Sequence, residues 1–269
     1  MKNNILLFEN KTLFQFLLLQ FSQLALFFGL FYAFFPRLFQ EQLERGVFLI
    51  LSAFLFMHLF ASFFEFFFHR YILHLKLIPL LKIFADKHAH HHSLTPVRKV
   101  AQGGQLRVEN TFPIVLDAQR PHSVFPWYAL MAFAITFTPF IFVAQWLFPG
   151  LPMLFGGYAT VFVSYVGYEV IHAYEHRSYE AWWKKKFEEK YSGPLWKKFY
   201  SFHLTHHANP RCNEAIGGFL GLPIPDLILG TYKTPSQLLI DGTVVSEEDF
   251  SAPRASLLVR FLDRAFGVA

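Results

Sequence analysis

Cysteine occurs once in this chain of 269 residues, at Cys212. A single thiol excludes an intrachain disulfide, and with it any cysteine-built zinc finger or iron–sulfur cluster; Cys212 is expected to be a free thiol without a role. Charge is scarce as well. Asp, Glu, Lys and Arg make up 16% of the residues, well under the ~25% of ordinary globular domains. No Gly-x-Gly-x-x-Gly follows a strand pattern and there is no flavin-like segment, so the chain carries no legible dinucleotide module of its own. No solenoid-period repeat and no low-complexity linker divides it, and residues 1–269 read as a single unit.

What is present is apolar and aromatic. Hydrophobic residues account for 54%, and Phe alone occurs 36 times. A soluble fold of this size would expose much of that surface as adhesive patches, whereas lipid hides it. Four stretches can each supply the ~20 apolar helical residues that cross the hydrocarbon layer. They run over residues 13–35, 47–68, 124–148 and 151 to about 168. The first is too long for a secretory signal and lacks a small-residue cleavage site, so it is expected to be a retained span. Its Gln15, Gln20, Ser22 and Gln23 are expected to face other helices. Trp127 and Tyr128 open the third span as interfacial anchors.

Four spans place the N-terminus, the loop 69–123 and the tail from 169 on one side. Of the 24 Lys and Arg residues, only Arg37 and Arg45 fall in the links on the other side. The positive-inside rule then puts both termini and the large loop in the cytoplasm. The stretch 179–202 mixes Trp182, Trp183, Tyr191 and Trp196 with six lysines and reads as one helix at the headgroup boundary. Lipid phosphate, and not nucleic acid, is its expected partner. Residues 77–84 are too short to cross and are expected to rest in the interface or pack as a re-entrant helix. Glu247, Glu248 and Asp249 read as a solvated turn or helix start.

Histidine is the unusual residue, with thirteen copies in the chain. His69-Arg70-Tyr71-Ile72-Leu73-His74 follows the second span, and His88-Ala89-His90-His91-His92 comes fourteen residues later. His172-Ala173-Tyr174-Glu175-His176 follows the fourth span, and His203-Leu204-Thr205-His206-His207 lies beyond the basic aromatic stretch. Neutral imidazole is the common ligand for borderline metals such as iron and zinc. On a helix, positions three and four apart share a face, which groups His88, His91 and His92, groups His203, His206 and His207, and pairs His172 with His176. His69 and His74 are five apart, about 140° on an α-helix; they need a helix end, a π-bulge or one metal each. Ten imidazoles exceed the four to six ligands of one ion and suffice for two. His90 points away from its neighbours' face, while His58 and His122 are expected to be structural.

These four boxes, His-x4-His, His-x2-His-His, His-x3-His and His-x2-His-His, resemble those of the membrane fatty acid hydroxylase and sterol desaturase superfamily. A later Asp226-Leu227-Ile228-Leu229-Gly230-Thr231-Tyr232 echoes that family's Asp-x-x-x-Gly-Thr-Tyr signature. The resemblance covers about residues 65–232; residues 1–64 share only hydrophobicity. It implies an all-α integral membrane protein of about four spans, with a cytoplasmic helical cap holding a dimetal site. His69, His74, His88, His91, His92, His172, His176, His203, His206 and His207 would bind two iron ions, which zinc replaces on purification. Glu65, Glu169, Glu175 and Asp226 would orient the rings from behind.

The activity so implied is an oxidoreductase hydroxylating or desaturating a lipid or fatty acyl substrate with O2, in lipid metabolism. Without a His-Pro-Gly-Gly haem signature, electrons are expected from an external electron-transfer protein docking on the basic face. A carotenoid- or sterol-type hydroxylase or desaturase uses the same chemistry. Two rivals differ in kind: a divalent-metal transporter or buffer, whose ligands belong near mid-membrane, and a zinc hydrolase, which needs no reductant.

Overall fold

The computed structural model describes residues 11–75 and 77–268, apart from the Leu80 side chain. The N-terminal end, expected on the histidine side, lies outside the described residues. Thr12 opens the first helix, α1 (Leu13–Phe34), with a reciprocal capping box: its hydroxyl accepts from Gln15 N at 3.3 Å and its own N–H donates to Gln15 Oε1 at 2.9 Å, satisfying two orphan donors. Gln20 and Gln23 are buried, and Gln23 Nε2 donates to the Trp127 carbonyl at 2.8 Å. Gln15 and Ser22 are instead exposed, with the Ser22 hydroxyl turned back onto Leu18 O at 2.8 Å.

A short helix, α2 (Pro36–Glu44), leads into α3 (Val47–Phe67), which continues without a break into a π-helical turn, Phe68–Leu73. After a single 3-10 turn, α4 (Lys82–Leu94) takes in the end of the stretch 77–84 and carries the second box. A two-stranded antiparallel ribbon follows, β1 (Val97–Gln102) with β2 (Gln105–Asn110). It departs from the all-helical expectation. Gly103 and Gly104 join the strands with φ of 59° and 76°, the left-handed pair that a two-residue hairpin turn demands.

Next come α5 (Ala129–Leu147) and α6 (Met153–Glu175). The third span thus begins at Ala129 and not at 124, and the fourth continues beyond 168 to deliver His172. The four helices α1, α3 with its π turn, α5 and α6 are each long and apolar enough to cross a membrane. α6 is the central one: over half of its span is buried, against about a fifth in the others. Gly156 lets it touch α3, because a Cβ there would lie 2.6 Å from the Ala53 backbone. Close approach through small residues is the usual contact between membrane helices. The links α1–α3 and α5–α6 meet at one end of the bundle, where Leu154 N donates to Gln42 Oε1 at 3.1 Å.

At the other end the chain builds a cap. The stretch 179–202 is not one helix but a π turn, Tyr179–Trp183, then α7 (Lys184–Phe187), a break, and α8 (Gly193–Ala208). Gly193 turns so tightly against the Phe187 carbonyl that a side chain would collide with it. Trp183 and Tyr200 are buried in a cap core with Val97, Val108, Phe112 and Leu239, so these aromatics pack protein. The chain closes with α9 (Ile224–Leu229) and α10 (Leu257–Phe266). Asp249 is not solvated: it is buried and accepts from Ser236 N and Oγ and from Ser246 N and Oγ at 2.7–2.9 Å.

Candidate metal centre

The ten box histidines gather into two nests of five. His69, His74, His88, His92 and His206 form the first, and His91, His172, His176, His203 and His207 the second; within each, one nitrogen per ring lies within 4.8 Å of all the others. The nests adjoin, with His92 stacked on His207 at 4.1 Å between ring centroids.

Local geometry explains the sorting. In α4, His88 and His92 are one turn apart and enter the first nest, while His91 faces the second. In α8 the same motif is used in reverse: His203 and His207 enter the second nest and His206 the first. His172 and His176 are a one-turn pair at the end of α6. His69 and His74 meet through the π turn. The His74 N–H donates to the His69 carbonyl at 3.3 Å, a five-residue step that brings both rings to one side, stacked at 5.1 Å and 22°.

Behind the rings, hydrogen bonds settle the tautomers. His206 Nδ1 donates to Cys212 O at 2.9 Å, His207 Nδ1 to Thr95 O at 3.0 Å and His176 Nδ1 to Phe112 O at 2.7 Å. His69 Nδ1 meets Glu214 O, and His91 Nδ1 lies 3.0 Å from Ser123 Oγ. A carbonyl only accepts, so each carbonyl-bound ring must carry its proton on Nδ1 and turn a bare Nε2 lone pair inward.

Those inward nitrogens crowd one another. Nε2 atoms of His69 and His88 are 3.0 Å apart, those of His91 and His176 3.0 Å, and those of His176 and His203 3.1 Å. His92 Nε2 is buried with no hydrogen-bond partner. Burial, and then the neighbouring rings, hold His74, His88, His91, His92, His203, His206 and His207 well below the usual imidazole range, so they are neutral near pH 7. Converging neutral lone pairs repel unless a cation lies among them. The donor set therefore fits a metal ion in each nest.

Carboxylates support the frame one step further out than their spacing implied. Glu65 accepts from Gly217 N at 2.7 Å and Gly218 N at 3.0 Å. Asp226 accepts from Glu214 N at 2.8 Å, Ala215 N at 2.9 Å and Thr231 Oγ1 at 2.7 Å. Gly230 ends α9 in the left-handed conformation, φ 72°, so the Asp-x-x-x-Gly-Thr-Tyr segment folds back on itself and grips the loop whose carbonyls orient His69 and His206. Glu169 accepts from Phe125 N at 3.1 Å, and Glu175 is buried. One carboxylate close to the rings is one that spacing did not reveal. Glu214 Oε2 lies 3.9 Å from Nδ1 of both His69 and His206, and its other oxygen accepts from Arg70 Nη1 at 2.7 Å. Eight residues beyond His206, Glu214 obeys no periodicity, and no sequence signal marks it.

The remaining histidines stand apart from the nests. His58 accepts from Leu220 N at 3.1 Å through Nε2 and therefore donates from Nδ1 to Ser164 Oγ, 3.0 Å away, tying α3 to α6. His90 is exposed and packs edge-on against His122 at 4.2 Å. Cys212 is buried, and burial pushes its thiol up to about 12.

Below the first nest, between α3, α5 and α6, lies an apolar cavity of about 640 Å³. Phe64, Phe133 and Phe137 line its middle, and Glu65, His69 and Tyr168 close the nest end. Along α3 its wall runs from Phe56 to His69, about 20 Å at 1.5 Å per residue.

Fold and site together define a mainly helical protein with four helices long and apolar enough to cross a membrane and two adjoining histidine clusters that could each hold a metal ion. Comparison with protein-family models, with curated proteins and with solved structures finds no match.

Proposed function

We propose that this protein is a membrane-bound di-iron oxidoreductase of the fatty acid hydroxylase and sterol desaturase type, acting with O2 and an external electron donor on a lipid or fatty acyl chain. One observation carries the reading: the apolar cavity between the spans ends on His69, a ring of the first nest. A transporter or metal buffer has no use for a 640 Å³ apolar chamber opening onto its ligands.

Iron bound by the two nests supplies reduction of dioxygen and oxidation of an unactivated C–H bond. The chain's own residues bind, orient and exclude water. At ~30 Å³ for a water-sized group, the cavity accommodates roughly twenty heavy atoms, the scale of one extended acyl or isoprenoid chain. Two of the hydroxyls on its wall are turned away to protein partners, Ser164 to His58 and Thr160 to Phe54 O at 3.2 Å, so the middle of the chamber stays apolar. The nests' position at the bundle end matches a carbon near a lipid headgroup, and the lysine-rich cap offers an acidic donor a complementary surface. By the positive-inside rule that cap faces the cytoplasm.

The test is metal counting on protein purified from iron-replete cells, followed by donor-dependent oxygen consumption and lipid analysis with and without the gene. About two irons per chain, with consumption coupled to a lipid product, is the expected outcome. Bound metal without donor-dependent oxygen uptake would overturn it.

A further inference from the structure

The last helix, α10, is short, and its sidedness is unlike that of the cap helices around it. One side is anchored to the histidine end of α3: Val259 is fully buried beside Phe66, the Tyr71 hydroxyl donates to Asp263 Oδ1 at 2.8 Å, and Phe266 packs on Tyr71 at 5.3 Å. The opposite side presents Leu257 and Phe261, one turn apart and 76% and 63% exposed, with Leu258 beside them. α9 adjoins α10 through the bond from Ser256 N to Leu229 O, 2.8 Å, and adds exposed Leu227 and Ile228. Arg264 lies at the edge of the stripe and is exposed, as is Arg254 just before the helix.

An apolar patch of this kind is costly in water. Here it packs beside Phe66 and Tyr71, in the last turns of the apolar stretch that ends at Leu73, the level at which a spanning helix leaves the hydrocarbon, and it carries cations on its rim. Large apolar side chains on one face, with arginine beside them, are what a helix lying in the bilayer interface requires.

We propose that α10 is a membrane-surface helix, its Leu257 and Phe261 face seated among the headgroups and first acyl carbons of the bilayer that the spans cross. Arg254 and Arg264 then meet lipid phosphate. The inference rests on the four apolar helices crossing a bilayer and is independent of the metal chemistry. It gives the Asp263–Arg70 pair, 2.9 and 2.7 Å, a mechanical meaning: the helix floating on the membrane surface is fastened to the turn that carries His69.

The chain's single cysteine is fully buried, so introduced cysteines can be spin-labelled selectively. Full-length Leu257→Cys and Phe261→Cys, in phosphatidylcholine–phosphatidylglycerol vesicles, are compared with Gln102→Cys at the hairpin tip and Phe140→Cys on the exposed side of α5. Labels at 257 and 261 should collide with oxygen much as 140 does, with severalfold lower access to a water-soluble nickel chelate than 102. Nickel access equal to that at 102 overturns the proposal. A label shielded from both reagents is covered by protein, such as a second copy of the chain, and overturns it equally. Two positions guard against one variant misfolding, and position 140 reports separately on the spans.

Discussion

Arg70 and Glu214 form a buried ion pair of 2.7 Å directly behind the first nest, both side chains almost wholly withdrawn from solvent. Arg70 also holds Asp263 on its far side. The chain Asp263–Arg70–Glu214 therefore reaches from the last helix to the Nδ1 atoms of His69 and His206, while the carbonyl contacts of His176 and His207 in the second nest are neutral. The two nests are thus electrostatically inequivalent.

Replacing Glu214 by Gln should weaken metal binding in the first nest by about 10- to 100-fold, the usual effect of losing a carboxylate behind a ligating imidazole. Stepwise metal titration of the variant should show one site weakened and the other unchanged. Equal weakening of both would contradict the assignment of Glu214 to one nest.

His206→Ala and His203→Ala, three residues apart on α8, should empty different nests. Each variant is expected to retain about one metal per chain where the parent holds about two. The double variant His203→Ala/His206→Ala should retain neither, and both singles should lose turnover. Loss of all metal from each single variant would mean one shared site.

Deleting Ile72 removes the extra residue of the π turn and returns His69 and His74 to a four-residue spacing. The backbone beyond it then shifts by about 100° of helical rotation, carrying His74 out of register with α4. First-nest metal should fall to background, while Ile72→Val, which keeps the turn, should bind normally. Metal content by mass spectrometry separates the two.

Ala61 lines the cavity roughly two turns from His69. Ala61→Trp fills the chamber without touching a ligand, so metal content should stay at the parental value while lipid turnover falls by at least about tenfold, some 1.4 kcal/mol in the barrier. Unchanged turnover would place the substrate elsewhere.

The metal-free protein should be destabilised by acid. Burial holds the box imidazoles outside the spans below their usual value of about 6.5. The folded state then binds fewer protons than the unfolded one once the pH drops under that value. Stability is accordingly full above about pH 6.5 and declines as the pH falls through it toward the folded values. Thermal unfolding of metal-stripped protein in detergent, followed from about pH 8 to about pH 5, should show a falling midpoint; a flat profile would refute neutral buried rings.

The long apolar helices and the histidine clusters are local properties, and the chain alone carried both. Runs of Phe and Leu of bilayer length need only composition and the helical rise to be seen, and the i, i+4 pairs His172/His176 and His203/His207 need only helical periodicity. Which imidazole joins which nest was decided by tertiary structure. His91 and His92 are neighbours that part company, and His69 and His74 come together through a π turn that no α-helical arithmetic generates. The carbonyls of Thr95, Phe112, Cys212 and Glu214 that set the tautomers have no side-chain signature, and Glu214 and Asp263 lie 144 and 193 residues from Arg70. Periodicity reports what one segment presents to its surroundings; the pairing of faces from distant segments depends on packing energy summed over the whole molecule.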